Sequence, residues 1–374
     1  MNKRNKRYSI MALITAVMLL LTACSSRGQV MDGADMIRET GAKADQAAQD
    51  EGRETDTQAD QDTGRKTQGD AKDTQSEDEA TRDAAKEGQD EAKDMRAVGK
   101  FDFASEKVLL NSGWEMPIIG TGTWTLSDEE AENSTYYALK AGMRLIDTAQ
   151  YYQNETGVGR GLARAIDEGI VTREDVFITT KIYGGDHDCA AEKINNSLSD
   201  LGVNYIDLML IHQPGADDAG VYKAMEEAVE SGKLHSIGIS NYYAEEQVDE
   251  VLSFAKITPA VIQNENHIYY QNARLRDYVK QYGIVMESWY PFGGRGHTQE
   301  NFENDVIMNL AEKYGKTSAQ IILRWHLQDG YIAIPGSGNP EHIAENYHIF
   351  DFELSEDEMS RIRGLDEQRR YEHW

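Results

Sequence analysis

The sequence predicts an α/β protein whose main domain is a closed, eight-stranded (β/α)8 TIM barrel. Its carboxyl-terminal part, about 270 residues from Phe101 onward, is long enough for one large domain. Short β-branched or apolar runs recur eight times in this part, and segments with apolar residues at helical spacing lie between them. Strands that alternate with helices form parallel sheets, and eight such units close into a barrel.

The predicted elements follow one another without a solenoid-type repeat. The strands cover residues 118–123, 145–148, 176–182, 207–212, 236–240, 260–266, 284–289 and 331–335. The clearest amphipathic helices cover residues 128–141, 192–201, 221–230 and 245–254. Before the first unit, residues 108–117 form two short extended pieces around Asn111-Ser112-Gly113, which predicts a hairpin across the bottom of the barrel.

The amino terminus has the pattern of an export signal. Four basic residues among the first seven precede an apolar run over residues 10–21, and small residues follow. Leu21-Thr22-Ala23-Cys24 resembles the lipobox of bacterial lipoproteins, which implies that residues 1–23 are removed and that the Cys24 thiol is lipidated. A membrane anchor is the weaker alternative, because the run is short for a span of about 20 residues. A plain secretory signal stays open.

Residues 24–104 are predicted to be a disordered, acidic tether. No Leu, Phe, Trp or Tyr occurs from residue 25 to residue 100, so this segment cannot bury enough apolar surface to offset its ordering entropy. The net charge of the chain is −27, which argues against a nucleic-acid or anionic-membrane partner. We also expect no bound metal.

A doubly wound dinucleotide-binding fold is the main competitor to the barrel. The glycine run Gly157-Val158-Gly159-Arg160-Gly161 suggests it, but its third glycine comes one position too early and no strand precedes it. We therefore interpret these glycines as the start of a helix.

Polar side chains follow the ends of successive predicted strands. Asp147 ends the second strand and Tyr152 follows it, Lys181 ends the third, and His212 ends the fourth. The next three strands carry, in order, Ser240 with Asn241, Gln263, and Trp289. The carboxyl ends of barrel strands meet at one face, so these residues predict a common site.

The motifs around these positions resemble the aldo/keto reductase family over residues 105–366. They read, in the family's order, GMRLIDTAQYYQNE, TTKIY, LIHQP, GISNY, QNENH, SWYPFGG and IPGSGNPEHIAEN. The resemblance implies a (β/α)8 barrel that binds a nicotinamide cofactor in extended form, without a Rossmann motif, and reduces carbonyl compounds.

The resemblance also implies roles for individual residues. Tyr152 is the general acid that protonates the carbonyl oxygen, and we expect Lys181 to lower the pKa of its phenol. Asp147 pairs with Lys181, and His212 hydrogen-bonds the same carbonyl oxygen.

Further residues match cofactor- and substrate-binding positions of the family. Ser240, Asn241 and Gln263 match positions that bind the nicotinamide carboxamide. Trp289 either stacks on the nicotinamide ring or is a core aromatic. Trp124 lines the substrate pocket. The residues that match the phosphate and adenine positions are Ser337, Glu345 and Asn346.

Two departures from the family pattern bear on specificity. Gly336 and His342 replace the usual Lys and Arg that hold the 2′-phosphate of NADPH, so the sequence leaves NADPH and NADH open. The chain ends soon after Gly364, and Gln213 replaces a frequent Trp. Both changes open the pocket and predict small aldehydes or dicarbonyls as substrates.

Two functions follow from these observations. The first is a monomeric, lipid-anchored oxidoreductase on the extracytoplasmic face of the cell membrane, which uses NADPH or NADH. Because nicotinamide cofactors are intracellular, the alternative is a surface-displayed barrel that binds a ligand or cofactor without catalysis. A translation start near Met95 would instead make the protein cytoplasmic.

Overall fold

The computed structural model describes residues 97–183 and 187–373 of the chain. The predicted signal peptide, the lipidation site Cys24 and the tether as far as residue 96 lie outside the described residues. Everything that follows concerns the described ranges.

Eight parallel strands form the barrel, as the sequence predicts. Each strand pairs in parallel with the next, and Ile119 and Gly122 form bridges to Ala333 and Gly336 that join the first strand to the last. The strands are β4 (Thr121–Gly122), β5 (Leu145–Asp147), β6 (Phe177–Ile182), β7 (Ile206–Ile211), β8 (Leu234–Ser240), β9 (Val261–Glu265), β10 (Val285–Trp289) and β11 (Tyr331–Ala333). Every residue of β6 and β7 is buried, so the polar residues of these strands need partners inside the protein.

The predicted hairpin is present and carries a third strand. β2 (Lys107–Leu109) pairs antiparallel with β3 (Glu115–Pro117), and β1 (Phe101–Asp102) pairs with β2. The ordered fold therefore begins before residue 105, where the sequence analysis places the domain boundary. Phe101 packs its ring against the core, and Val98 before it forms a bridge to Leu109, so these last residues of the predicted tether are part of the fold.

Eleven helices occur in the described ranges. They are α1 (Asp128–Ala141), α2 (Glu155–Asp167), α3 (Ala190–Leu201), α4 (Asp218–Glu230), α5 (Glu245–Phe254), α6 (Ala273–Val279), α7 (Thr298–Phe302), α8 (Asp305–Tyr314), α9 (Ser318–Gln328), α10 (Pro340–Tyr347) and α11 (Glu356–Arg363). The first shows why they start and stop where they do: Ser127 and Glu130 form a capping box, and Gly142 ends the helix at a φ of 114°. None of these helices is long and apolar enough to cross a membrane.

The glycine run that suggests a dinucleotide loop lies inside α2. A Cβ atom at Gly157 would lie 2.0 Å from the backbone oxygen of Asp128, and one at Gly159 would lie 2.5 Å from that of Leu201. These glycines therefore allow α2 to pack closely against its neighbours. The interpretation as part of a helix is confirmed.

Candidate active site

Lys181 lies at the centre of the candidate site. Its Nζ donates hydrogen bonds to Asp147 Oδ1 at 2.6 Å, to the Thr148 carbonyl oxygen at 2.8 Å and to Tyr152 Oη at 3.2 Å. These three bonds use all three protons of the ammonium group. Because Tyr152 Oη accepts from Lys181, its own proton stays available for another acceptor.

The barrel geometry produces this cluster. Asp147 is the last residue of β5, and Lys181 lies near the end of the neighbouring β6. Tyr152 follows β5 in a short 3-10 turn, Gln150–Tyr152, which carries its hydroxyl back to the strand end. The structure thus brings these three residues together, although Asp147 and Lys181 are 34 positions apart in the sequence.

Burial and charge act in opposite directions on the Lys181 and Asp147 pair. Burial alone favours the neutral form of both side chains, whereas the 2.6 Å contact favours the charged forms. For Lys181, burial lowers the pKa, but the Asp147 carboxylate and Tyr152 outweigh it, so the pKa lies above its ordinary value. Lys181 is therefore a cation in contact with the phenol oxygen of Tyr152.

Lys181 acts to lower the pKa of Tyr152, as expected, but it does not bring that pKa below its ordinary value. Burial of the hydroxyl raises the pKa of Tyr152 to about 12, although Lys181 acts in the opposite direction. Desolvation of a phenolate outweighs one nearby ammonium whose charge Asp147 largely neutralises. Tyr152 is therefore protonated throughout the neutral range.

His212 stands beside the tyrosine. Its ring lies 5.5 Å from the Tyr152 ring, centroid to centroid, at an interplanar angle of 75°. Burial, assisted by the positive charge of Lys181, lowers the pKa of His212 to about 3. The imidazole is therefore neutral near pH 7 and carries one N–H that can donate a hydrogen bond.

The predicted carboxamide-binding residues and Trp289 lie on β8, β9 and β10 or directly after them. Asn241 Nδ2 donates to Ser240 Oγ at 3.2 Å, and Trp289 Nε1 donates to Asn241 Oδ1 at 3.1 Å. Gln263 Nε2 donates to Asp147 Oδ2 at 2.8 Å, so this group is joined directly to the lysine cluster. The Ser240 hydroxyl and the Asn241 and Gln263 amides can form hydrogen bonds with an amide group. The Trp289 indole, whose N–H is bonded to Asn241, can stack on a planar ring. These groups together fit a planar ring that carries an amide.

The predicted phosphate and adenine residues lie further along the chain, beside β11 and in α10. The Ser337 carbonyl oxygen accepts a hydrogen bond from Ser134 Oγ at 2.8 Å, which holds the loop after β11 against α1. Glu345 Oε1 accepts from Thr317 Oγ1 at 2.6 Å, and Asn346 is buried. Gly336 and His342 are exposed, so no buried cation takes the place of the usual Lys and Arg at these two positions.

Trp124 packs against the candidate proton donor. Its ring lies 4.7 Å from that of Tyr152 and 5.8 Å from that of Tyr151, and its Nε1 donates to Tyr290 Oη at 3.1 Å. Tyr183 extends this aromatic wall, because it stacks on His212 at 5.0 Å. Sequence reasoning finds Trp124 but misses the three tyrosines, although each follows a strand-end motif residue closely.

Comparisons with known proteins agree with the fold. The profile of the "Aldo/keto reductase family" matches residues 118–367. An "NADPH-dependent D-xylose reductase" of Meyerozyma guilliermondii is 38% identical over 303 residues, which are 71% of this chain and 95% of the relative. A "Morphine 6-dehydrogenase" of Pseudomonas putida is 38% identical over 276 residues, 70% of this chain and 92% of the relative.

A solved structure of a Bombyx mori aldo-keto reductase in complex with NADP has a TM-score of 0.67 and 34% identity, and the match covers 71% of this chain and 94% of that one. The crystal structure of an aldo-keto reductase from a Medee basin deep-sea metagenome library has the same TM-score and 38% identity, with 71% and 97% covered. These relatives favour an enzyme over the non-catalytic alternative. The chain belongs to the aldo/keto reductase family, and it is an NAD(P)H-dependent oxidoreductase that reduces carbonyl compounds.

Proposed function

We propose that Asp147, Tyr152, Lys181 and His212 carry out this reduction. Tyr152 Oη gives its proton to the carbonyl oxygen of the substrate while the carbonyl carbon accepts a hydride from the reduced nicotinamide. The observation that carries the proposal is the bond from Lys181 Nζ to Tyr152 Oη at 3.2 Å, which leaves the phenol proton directed elsewhere. Lys181 then stabilises the phenolate oxygen that remains.

His212 is proposed to orient the substrate. Because its imidazole is neutral, it can donate one hydrogen bond to the carbonyl oxygen without adding a second cation beside Lys181. Two donors, the phenol and the imidazole, then hold the oxygen on which negative charge develops.

The substrates that we propose are small aldehydes, ketones and dicarbonyl compounds. Trp124, Tyr151, Tyr183 and Tyr290 supply a largely aromatic wall with hydroxyl groups, which suits compounds that combine an apolar face with polar groups. Gln213, which replaces a frequent Trp, supports a broad range of substrates.

The test is a carbonyl panel with the purified full-length protein. We expect the protein to oxidise NADH or NADPH when methylglyoxal or a benzaldehyde is added. An absence of turnover with every compound of a broad panel, with both cofactors, would contradict the proposed reaction.

We further propose that NADH is the preferred cofactor. Gly336 and His342 are exposed and supply no permanent cation for a 2′-phosphate. The double variant Gly336→Lys with His342→Arg should therefore tighten NADPH binding by about tenfold or more, because a hydrogen bond between charged groups contributes about 1.5–3 kcal/mol. Equilibrium titration of both cofactors measures this effect.

The matched control for the cofactor variants is the Kd of NADH, which should stay close to the wild-type value. His342→Arg alone should give part of the gain. This single variant is informative because a Cβ at Gly336 would lie 3.0 Å from the Gly122 oxygen and needs a small shift of the loop. A wild-type protein that binds NADPH more tightly than NADH would contradict the proposed preference.

Finally, we propose that the enzyme is a monomer anchored at Cys24 on the extracytoplasmic face of the cell membrane. The basic residues, the apolar run and the Leu21-Thr22-Ala23-Cys24 sequence support this location. Palmitate labelling with cell fractionation tests it: we expect a labelled membrane protein and loss of the label in Cys24→Ala. A cytosolic, unlabelled protein would instead indicate translation from near Met95.

A further inference from the structure

A second buried carboxyl group lies next to the candidate catalytic cluster. Glu287 is in the middle of β10 and has no exposed surface. It pairs across the sheet with Gln263 of β9, and it precedes Trp289 by two residues on the same strand. Alternation along a strand places Glu287 and Trp289 on the same, inner side of the sheet.

Gln263 connects this carboxyl group to Asp147. Its Nε2 donates to Glu287 Oε2 at 2.7 Å and to Asp147 Oδ2 at 2.8 Å, so both of its amide protons are used. The amide nitrogen faces the two acids, and the amide oxygen therefore points away from them. Glu287 thus helps to fix the orientation of a side chain that is assigned to the nicotinamide carboxamide.

The charges in this region do not balance if both acids are ionised. Asp147 from β5 and Lys181 from β6 are the charged groups that act on Glu287, while its neighbour from β9 is the neutral Gln263 and its neighbour from β11 is the apolar Ile332. The ammonium group of Lys181 is the one positive charge for the two carboxyl groups of Asp147 and Glu287. In addition, Glu287 Oε1 is buried without a hydrogen-bond partner. A buried, uncompensated carboxylate is costly, so this arrangement of charges favours a protonated Glu287.

We propose that Glu287 is a positioning residue whose protonation follows the oxidation state of the bound cofactor: it is neutral when the nicotinamide is reduced and ionised when the nicotinamide is oxidised. The oxidised ring carries a positive charge and the reduced ring does not. An ionised Glu287 would compensate that charge from inside the barrel. The proton that leaves Glu287 passes to solvent, and the proton used in the reduction still comes from Tyr152.

The pKa of Glu287 supports this idea. Burial, followed by repulsion from Asp147, raises the pKa of Glu287 to about 8, against the opposing effects of Gln263 and Lys181. A nearby cation lowers the pKa of a carboxyl group by about one unit or more. Between about pH 7 and about pH 8, NAD⁺ must therefore release a proton from Glu287 when it binds, so the affinity for NAD⁺ should rise with pH.

The test compares the two cofactor forms. We expect the ratio of Kd for NADH to Kd for NAD⁺ to rise about tenfold between about pH 6 and about pH 9, because one pKa unit corresponds to a factor of ten. The ratio cancels effects of pH on the phosphate and adenine contacts, which both forms share. Glu287→Gln has nearly the same shape and cannot ionise, so its ratio should stay flat and close to the low-pH value of the wild type.

A second measurement needs no variant. Infrared difference spectra of the wild-type protein, recorded between about pH 7 and about pH 8, should show loss of a protonated-carboxyl band when NAD⁺ is added, and retention of that band with NADH. The inference is overturned if the wild-type ratio does not change with pH, if Glu287→Gln keeps the wild-type pH dependence, or if the band survives NAD⁺. It rests on nicotinamide binding as described above: if neither form binds at all, the proposed function fails with it, whereas binding without pH dependence removes this inference alone.

Discussion

Replacement of Tyr152 by Phe should lower kcat for carbonyl reduction by about 10³-fold, within the range that a positioned general acid contributes. The phenol is the group that Lys181 contacts at 3.2 Å, and its pKa of about 12 keeps it protonated near neutral pH. The variant loses this proton but keeps the ring that packs against Trp124 and His212. Its Kd for NADH or NADPH should therefore match that of the wild type, which titration with each cofactor measures.

Tyr151→Phe is the matched control, because it removes the neighbouring phenol. Tyr151 is 47% exposed, and its hydroxyl lies outside the hydrogen-bonded cluster around Lys181. We expect this variant to keep most of the wild-type turnover. Wild-type turnover in Tyr152→Phe, or an equal loss in both variants, would show that the proton comes from another group.

The fold and most of the site could be predicted because both depend on local patterns. The run that became β7, for example, is apolar apart from Asp207 and is followed by the polar His212, which indicates a buried parallel strand with a functional end. The resemblance then assigns roles to these ends. No pattern in the sequence predicts β1, because it has only two residues and depends on pairing with β2.

Two features could not be predicted, since they depend on packing between distant segments. Glu287 lies inside a predicted strand, but only the register between β9 and β10 places it against Gln263. Likewise, the presence of Lys181 near Tyr152 suggests a lowered pKa, yet the sign of the shift depends on how deeply the hydroxyl is buried. The sequence identifies the charged residues of a site. Only the structure shows how strongly burial opposes their effect on a neighbouring pKa.

The balance between burial and charge in the Lys181–Asp147 pair also predicts a large effect of substitution on stability. Lys181→Met leaves the Asp147 carboxylate buried without its cation, which costs about 3–5 kcal/mol for a pair of this kind. Tm should therefore fall by about 10 °C, measured by thermal unfolding followed by circular dichroism. Adding Asp147→Asn to this variant removes the unpaired charge and keeps an oxygen that can accept from Gln263 Nε2, so the double variant should regain much of the lost stability.

An exposed ion pair gives the control for this cycle. Lys107 Nζ lies 3.0 Å from Glu115 Oε2, and their side chains are 44% and 58% exposed. Water already solvates both groups, so Lys107→Met should change Tm very little. If the two lysine variants lose equal stability, or if Asp147→Asn destabilises the Lys181→Met protein further, then the cost does not come from an uncompensated charge. Recovery of stability in a double variant that still lacks turnover would show that the buried pair is kept for the chemistry at Tyr152, since the fold can do without it.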